Sequence, residues 1–345
     1  MIFLEKYVII CFDINQRRRS MQKSGIKIPV IAVVGPTASG KTALSIELAK
    51  RLHGEIISCD SMQVYRGMDI GTAKPDEEER KGVPHHMIDI VDPDEEYNCS
   101  DYAEAAVKSV YDIFSRGKLP IFCGGTGLYL DSVLRGVRDD GAEKDPKFRD
   151  EMTKFALENG NAALHSKLRE VDSDAADAIH PNNVRRVVRA LEIFHTTGKT
   201  KTSLDEKSRQ ISPLFSPLII GLTYGDRDIL YKRIDERVDK MFEKGLENEV
   251  RGLLEKGYLS ENTTAGQAIG YKETAKFIRG EISFAEASEQ IKLSTRHYAK
   301  RQITWLSAKK DIVPLMMTKE NGQTEGFEEI THKALALAFK HGFNE

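Results

Sequence analysis

The eight residues GPTASGKT, Gly35 to Thr42, constrain this chain more than any other stretch. They follow the short apolar run IPVIAVV and precede KTALSIELAKRLHG, whose apolar spacing is helical and which ends at Gly54. A glycine-rich turn between a strand and a helix aims backbone N–H groups, and the positive end of the helix, at phosphate oxygens. In the pattern G-x-x-x-x-G-K-[ST] the lysine, Lys41, adds a point charge and Thr42 a hydroxyl for Mg²⁺. Gly35, Pro36, Thr37, Ala38, Ser39, Gly40, Lys41 and Thr42 are therefore read as the cradle of a di- or triphosphate. Form alone leaves the rest of that ligand open.

The pattern continues as strands alternating with helices. EIISCD, closing on Asp60, and KLPIFCGG read as further strands, with SDYAEAAVKSVYDIFSRG as a helix between them and another helix beginning near TGLYLDSVL. Parallel strands joined this way gather their C-terminal ends, and hence the loop, Asp60 and Thr126, around one crevice. Residues 145 to 200 read as several helices with no strand between them. Strand character returns at PLIIGLTY and again at IVPLMM, with the amphipathic helix DRDILYKRIDERVDKMFEKG following the first. The expectation is an α/β fold, a P-loop NTPase-like parallel sheet core with a helical insertion domain. Its divisions fall at 1–26, an inert or poorly ordered extension; 27–140, the first part of the core; 141–210, the insertion; and 211–345, the mostly helical remainder of the core.

A net charge of −2 gives no global basic field, so nucleic-acid binding has to come from a local patch or from shape. The four cysteines, Cys11, Cys59, Cys99 and Cys123, lack any C-x-x-C spacing, which points away from disulfides and zinc and toward a reducing cytoplasm. Cys59 and Cys123 fall in strands and read as buried hydrophobes. The adjacent His85 and His86 do not converge on one ion and read as packing and polar contacts. The apolar run Tyr7 to Phe12 is six residues, far short of the roughly 20 that span a bilayer. No membrane role is expected.

No N-K-x-D motif is present, which excludes the usual guanine-reading GTPase. A P-loop kinase of a nucleoside or other small hydroxyl compound stays open.

The segment DSMQVYRGMDIGTAKP, residues 60 to 75, closely resembles the tRNA dimethylallyltransferases of the bacterial type. The same family pattern is met by GPTASGKT, PHHMIDI, GGTGLYL, IHPNNVRRVVRALE, RIDERVDKM, AGQAIGYKE and STRHYAKRQITW, in order, over residues 28 to 308. The resemblance implies transfer of a five-carbon allyl group from dimethylallyl diphosphate to N6 of adenine 37 in the tRNA anticodon loop, with Mg²⁺ as cofactor. Pyrophosphate is released and ATP is not consumed. It further implies tRNAs reading codons that begin with U. A cytoplasmic monomer is expected, since nothing in the sequence demands more than one copy.

An adenine amino group is a poor nucleophile, so a carboxylate that accepts its proton lowers the barrier. Asp60 stands at a strand end beside the loop for that task; an outer ligand of Mg²⁺ is the other reading, and the two overlap. Departing pyrophosphate needs neutralisation, from Lys41 and from Arg237, which matches the family's pyrophosphate-contacting arginine. Arg233 and Arg237 share a helix face, with Ile229, Leu230, Ile234, Val238 and Met241 as the buried stripe. Thr126 reads on form as a helix N-cap and by resemblance as a residue at the reacting centre that touches the target nucleotide. Ser61, Met62 and Gln63 match positions that read a flipped nucleotide. Arg149, Arg185, Arg186 and Arg189 in the insertion, and Gln267 and Tyr271 further on, match tRNA contacts; Arg296, Lys300 and Arg301 form another basic cluster beside Trp305. Ser307 stands where many relatives carry arginine.

Overall fold

The computed structural model describes residues 27–136, 144–209, 215–319 and 322–343. The extension 1–26, and the expected boundaries near 140 and 210, lie outside them. Among the described residues are two compact units, one running to Leu134 and resuming at Leu214, the other Arg135–Pro213.

In chain order the first unit contains β1 (Ile28–Val34), α1 (Lys41–Arg51), β2 (Gly54–Cys59), α2 (Glu77–Arg80), β3 (His85–His86), α3 (Cys99–Ser115), β4 (Leu119–Gly124) and α4 (Gly127–Leu134). The second contains α5 (Pro146–Asn159), α6 (Asn161–Val171), α7 (Ser173–Ala178), α8 (Val184–Thr197) and α9 (Lys201–Arg209). The first then resumes with β5 (Phe215–Thr223), α10 (Arg227–Glu243), α11 (Leu246–Glu255), α12 (Tyr271–Ile278), α13 (Phe284–Ser307), β6 (Ile312–Met316) and α14 (Phe327–Lys340).

The six strands form one sheet in the order β3-β2-β4-β1-β5-β6, every pair parallel. A wholly parallel sheet needs both faces covered, which is why its strands are continuous apolar runs. In β1 the two-residue period divides the side chains. Val30, Ala32 and Val34 face α3 and α4 with Tyr102, Val110 and Leu130, while Ile31 and Val33 face α1 and α14 with Leu44, Leu48 and Leu335. The sheet is thus the middle layer of a three-layer α/β fold.

Five strands lie where the apolar runs place them, and β3 is an addition. It consists of two residues, His85 and His86, paired with Ile56 and Ile57, too short to leave a pattern in the sequence. Among the described residues no group of three or more His, Cys, Asp or Glu converges. His86 Nε2 instead lies 2.8 Å from Glu55 Oε2, and His85 Nδ1 2.8 Å from the Val83 carbonyl.

The second unit is helical throughout its described residues and has its own core, including Leu164, Leu168, Val187 and Leu191. No helix among the described residues is long and apolar enough to cross a membrane.

Candidate active site

β1 ends at Val34 and the chain enters the loop at Gly35, where a Cβ would stand 2.8 Å from Ser39 Oγ and 3.0 Å from Leu222 Cβ. Gly40 then takes φ +91°, a left-handed conformation that turns the chain directly into α1. The loop carbonyls are tied back by protein donors. Lys41 Nζ donates to Pro36 O at 2.7 Å, Arg233 Nε to Ala38 O at 2.9 Å and the Tyr224 hydroxyl to Ser39 O at 3.3 Å.

No side chain caps the N-terminus of α1. Its leading amides therefore lack intrahelical acceptors and point out with the positive end of the helix. The Ser39 hydroxyl is buried in the same turn without a hydrogen-bond partner among the described residues. A buried donor set with no acceptor is stable only when an acceptor is supplied, and an anionic oxygen supplies it.

The loop opens on a cleft of about 840 Å³ whose walls include Lys41, Thr42, Arg233, Arg237 and Lys240 as well as Glu79 and Glu236; Lys74, also on the wall, is paired with Asp69 and Asp89. Burial pulls the Lys41 ammonium down to about 8; Cys123 and Asp60 act against that shift, and Arg237 acts with it. Burial likewise lowers the Arg237 guanidinium, with Asp60 and Glu79 opposing. Arg237 makes only a long 3.5 Å hydrogen bond to Thr72 O. These are cations taken out of water with little protein charge in exchange, a state that a bound polyanion relieves.

α10 is not the evenly balanced charged face that its composition suggests. Arg296 of α13 makes two 2.9 Å bonds to Asp235, and Lys292 lies 2.7 Å from Asp239. With those carboxylates turned toward α13, the arginines are left toward the cleft. Leu230, Ile234 and Val238 form the buried stripe as expected, while Ile229 and Met241 are only half-buried.

On the neighbouring strand ends, Asp60 Oδ1 accepts the Met62 N–H at 2.9 Å. Thr126 donates its amide to Cys59 O at 3.1 Å, accepts the Ser61 N–H on Oγ1 at 3.1 Å and lies 3.4 Å from Ser61 Oγ. The Thr126 hydroxyl thus binds the turn after β2. A Cβ at Gly124 would lie 2.0 Å from Cys59 O, so the approach of the two turns requires glycine there. Tyr298 of α13 also reaches this corner beside Thr126, and burial followed by the Asp60 charge drives its pKa up. Cys59 and Cys123 are buried thiols whose pKa values burial raises, which suits packing and not nucleophilic attack.

Several residues expected to touch tRNA are engaged within the protein. The Gln63 amide accepts from Ser58 Oγ at 2.8 Å and donates to Thr72 O and Ala73 O, bonds that brace the loop. Met62 is half-buried against the cluster that includes Val64. Tyr271 is fully buried and donates at 2.6 Å to Glu249, which also accepts the N–H groups of Asp69, Ile70 and Gly71. Its place is under the loop. Gln267 is exposed, with Nε2 on Glu261 O at 2.8 Å.

In the helical unit, Arg149 chelates Glu192 at 2.7 and 2.8 Å, and Arg189 reaches the same carboxylate at 2.6 Å. Glu192 has no solvent exposure. Two of the four arginines therefore neutralise a buried acid, and Arg185 and Arg186 are the exposed pair. In the second basic cluster Arg296 is held by Asp235, and the Trp305 indole donates to Asp131 at 3.0 Å.

Sequence reasoning missed Gln302. Its side chain is buried, accepts the Thr37 N–H at 2.8 Å and donates to Gly125 O at 3.0 Å. The available signal was its spacing, four after Tyr298 and three before Trp305, which puts an amide on the packed face of a helix.

The IPP transferase family model matches residues 63–309, and the isopentenyl transferase model residues 28–92. A tRNA dimethylallyltransferase of Bacillus subtilis (strain 168) is 50% identical over 293 residues, 85% of this chain and 92% of that protein. One of Thermoanaerobacter sp. (strain X514) is 48% identical over 279 residues, 81% of this chain and 88% of that protein. Among solved structures, the full-length tRNA isopentenylpyrophosphate transferase of Bacillus halodurans superposes with a TM-score of 0.66 at 43% identity, covering 91% of this chain and 98% of that one. A eukaryotic dimethylallyltransferase acting on tRNA gives 0.74 at 33% identity, over 92% and 79%.

Proposed function

Since the chain belongs to the IPP transferase family, we propose that it transfers the dimethylallyl group of dimethylallyl diphosphate to N6 of adenine 37 in the anticodon loop of tRNAs reading codons that begin with U. The observation that carries this reading is the uncapped, cation-lined start of α1 standing beside the Asp60 carboxylate. A diphosphate matches the unfilled donors of the loop, and a carboxylate is the base that an amino nucleophile needs.

In the reaction the adenine N6 lone pair forms a bond to the allylic carbon, and the C–O bond to the diphosphate breaks with its electrons leaving on oxygen. Asp60 takes the N6 proton. Gly35 to Thr42, Lys41 and Arg237 bind the diphosphate and stabilise the charge that grows on it. Thr126 and Ser61 hold the strand-end turns about the incoming base, which must be extruded from its stack to reach them. Thr42 and Asp60 offer oxygen donors, and no cluster of three or more His, Cys, Asp or Glu stands among the described residues, which fits a Mg²⁺ held mainly by a diphosphate and water. Bound there, the cation would neutralise the leaving group. Gln267, Arg185 and Arg186 bind the tRNA, and the protein works as a cytoplasmic monomer.

The test is single-turnover incubation with Mg²⁺, unmodified tRNA and labelled dimethylallyl diphosphate, with Asp60→Ala and ATP arms. Label on adenine 37 is expected, with Asp60→Ala slowed by about 10²- to 10⁴-fold. Turnover of ATP without label on tRNA would return the loop to the kinases.

A further inference from the structure

The last turns of α13 present one face to the site. Tyr298, Gln302 and Trp305, continued by Lys309 just past the helix, follow a helical spacing of four, three and four. Each touches the turn after β4 or the helix it opens. Tyr298 lies beside Thr126, Gln302 bonds Gly125 O, and Trp305 and Lys309 bond Asp131 at 3.0 and 2.8 Å. A Cβ at Gly127 would stand 2.4 Å from the Trp305 ring, so that wall is close-packed.

Gln302 alone on this face also reaches the phosphate loop. One planar amide accepts the Thr37 N–H at 2.8 Å and donates to Gly125 O at 3.0 Å. Both partners are backbone, so the amide fixes a backbone-to-backbone distance that no rotamer change can absorb. A Cβ on Gly125 would lie 2.0 Å from the Gln302 nitrogen, leaving no slack on that side. One of the joined segments carries the cradle of the leaving group, and the other carries Thr126 beside Asp60. An in-line displacement depends on the spacing between those two segments, and misplacement by about 1 Å costs on the order of 10²-fold in rate.

We propose that Gln302 is the positioning residue that sets the separation of the phosphate loop from the Thr126 turn, an inference that rests on the transferase reading above. It touches neither substrate and acts through the two backbone groups.

The experiment uses Gln302→Leu and Gln302→Glu in the full chain, with kcat and KM for both substrates, calorimetric affinity for inorganic pyrophosphate, and thermal melting. Gln302→Leu is expected to lose about 30-fold or more in kcat at a temperature where it is folded, with pyrophosphate affinity and the KM for tRNA within about 3-fold. In Gln302→Glu a protonated carboxyl reproduces both bonds, whereas the carboxylate faces the Gly125 carbonyl oxygen. Its kcat relative to the unaltered protein should therefore fall as pH rises from about 6 to about 9, a group so placed having a raised pKa. A kcat for Gln302→Leu within about 3-fold of the unaltered protein, or a Glu ratio flat with pH, overturns the proposal. If the leucine variant does not fold, the pH ratio decides. Absence of transfer by the unaltered protein would instead overturn the proposed function, and this inference with it.

Discussion

The chemistry concentrates in a few buried charges whose states are set by what surrounds them. Lys41 is held near pKa 8 because it is desolvated before any anion arrives. A bound diphosphate favours the charged form, so binding draws a proton onto Lys41 when the pH is above that value. Donor affinity should accordingly weaken as pH rises through about 8, with proton uptake measurable by calorimetry in buffers of different ionisation enthalpy. A donor KM unchanged to pH 10 would contradict this. Glu192 shows the reverse arrangement: two arginine partners and the Asp145 N–H hold its carboxyl below the ordinary range despite its burial. Glu192→Ala removes the carboxylate that Arg149 and Arg189 share. It should destabilise the protein by about 2–3 kcal/mol, discounted from the value for a fully buried pair because both arginines are partly exposed, as read by urea denaturation.

At the scale of elements, helices α8, α10 and α13 each carry charge on faces with different tasks. On α8, Arg189 turns inward to Glu192 while Arg185 and Arg186 face water. Replacing that exposed pair by glutamate should raise the KM for tRNA about 10-fold or more, leave kcat within a few-fold, and reduce the salt dependence of binding by about one to two released counterions. The same loss in Arg149→Ala without a fall in stability would show that the inward arginines touch RNA after all. The RIDERVDKM segment reads in sequence as acids and bases in balance, and α13 alters that by taking Asp235 and Asp239. The i, i+4 placement of Arg233 and Arg237 was legible from spacing. Which face is left cationic was not, because that depends on Arg296 and Lys292 more than 50 residues away.

For the whole molecule, the parallel sheet makes the arrangement possible by ending β1, β2 and β4 side by side. The sheet's edge is held by charge as well as by its ladder. Glu55 of β2 binds Arg116 at 2.5 and 2.7 Å and His86 of β3, and the Arg116 guanidinium holds its carboxyl down to about 2. The folded pKa is below the unfolded one, so this stabilisation is complete above about pH 4.5 and is lost as pH falls toward 2. Glu55→Gln should lower the urea midpoint at pH 7 and flatten its decline between about pH 5 and 3; an unchanged slope would place the acid sensitivity elsewhere. By itself the sequence determined the five longer strands, the phosphate loop and the strand-end positions of Asp60 and Thr126, because each follows from local periodicity, glycine conformation and the geometry of a helix N-terminus. Only the tertiary structure decided that Gln63 and Tyr271 brace the loop from inside, that Arg149 and Arg189 serve a buried acid, and that Gln302 spans two backbones. Those roles depend on which distant groups meet, and a hydrogen-bonding side chain looks the same in sequence whether its partner is a ligand or the protein's own backbone.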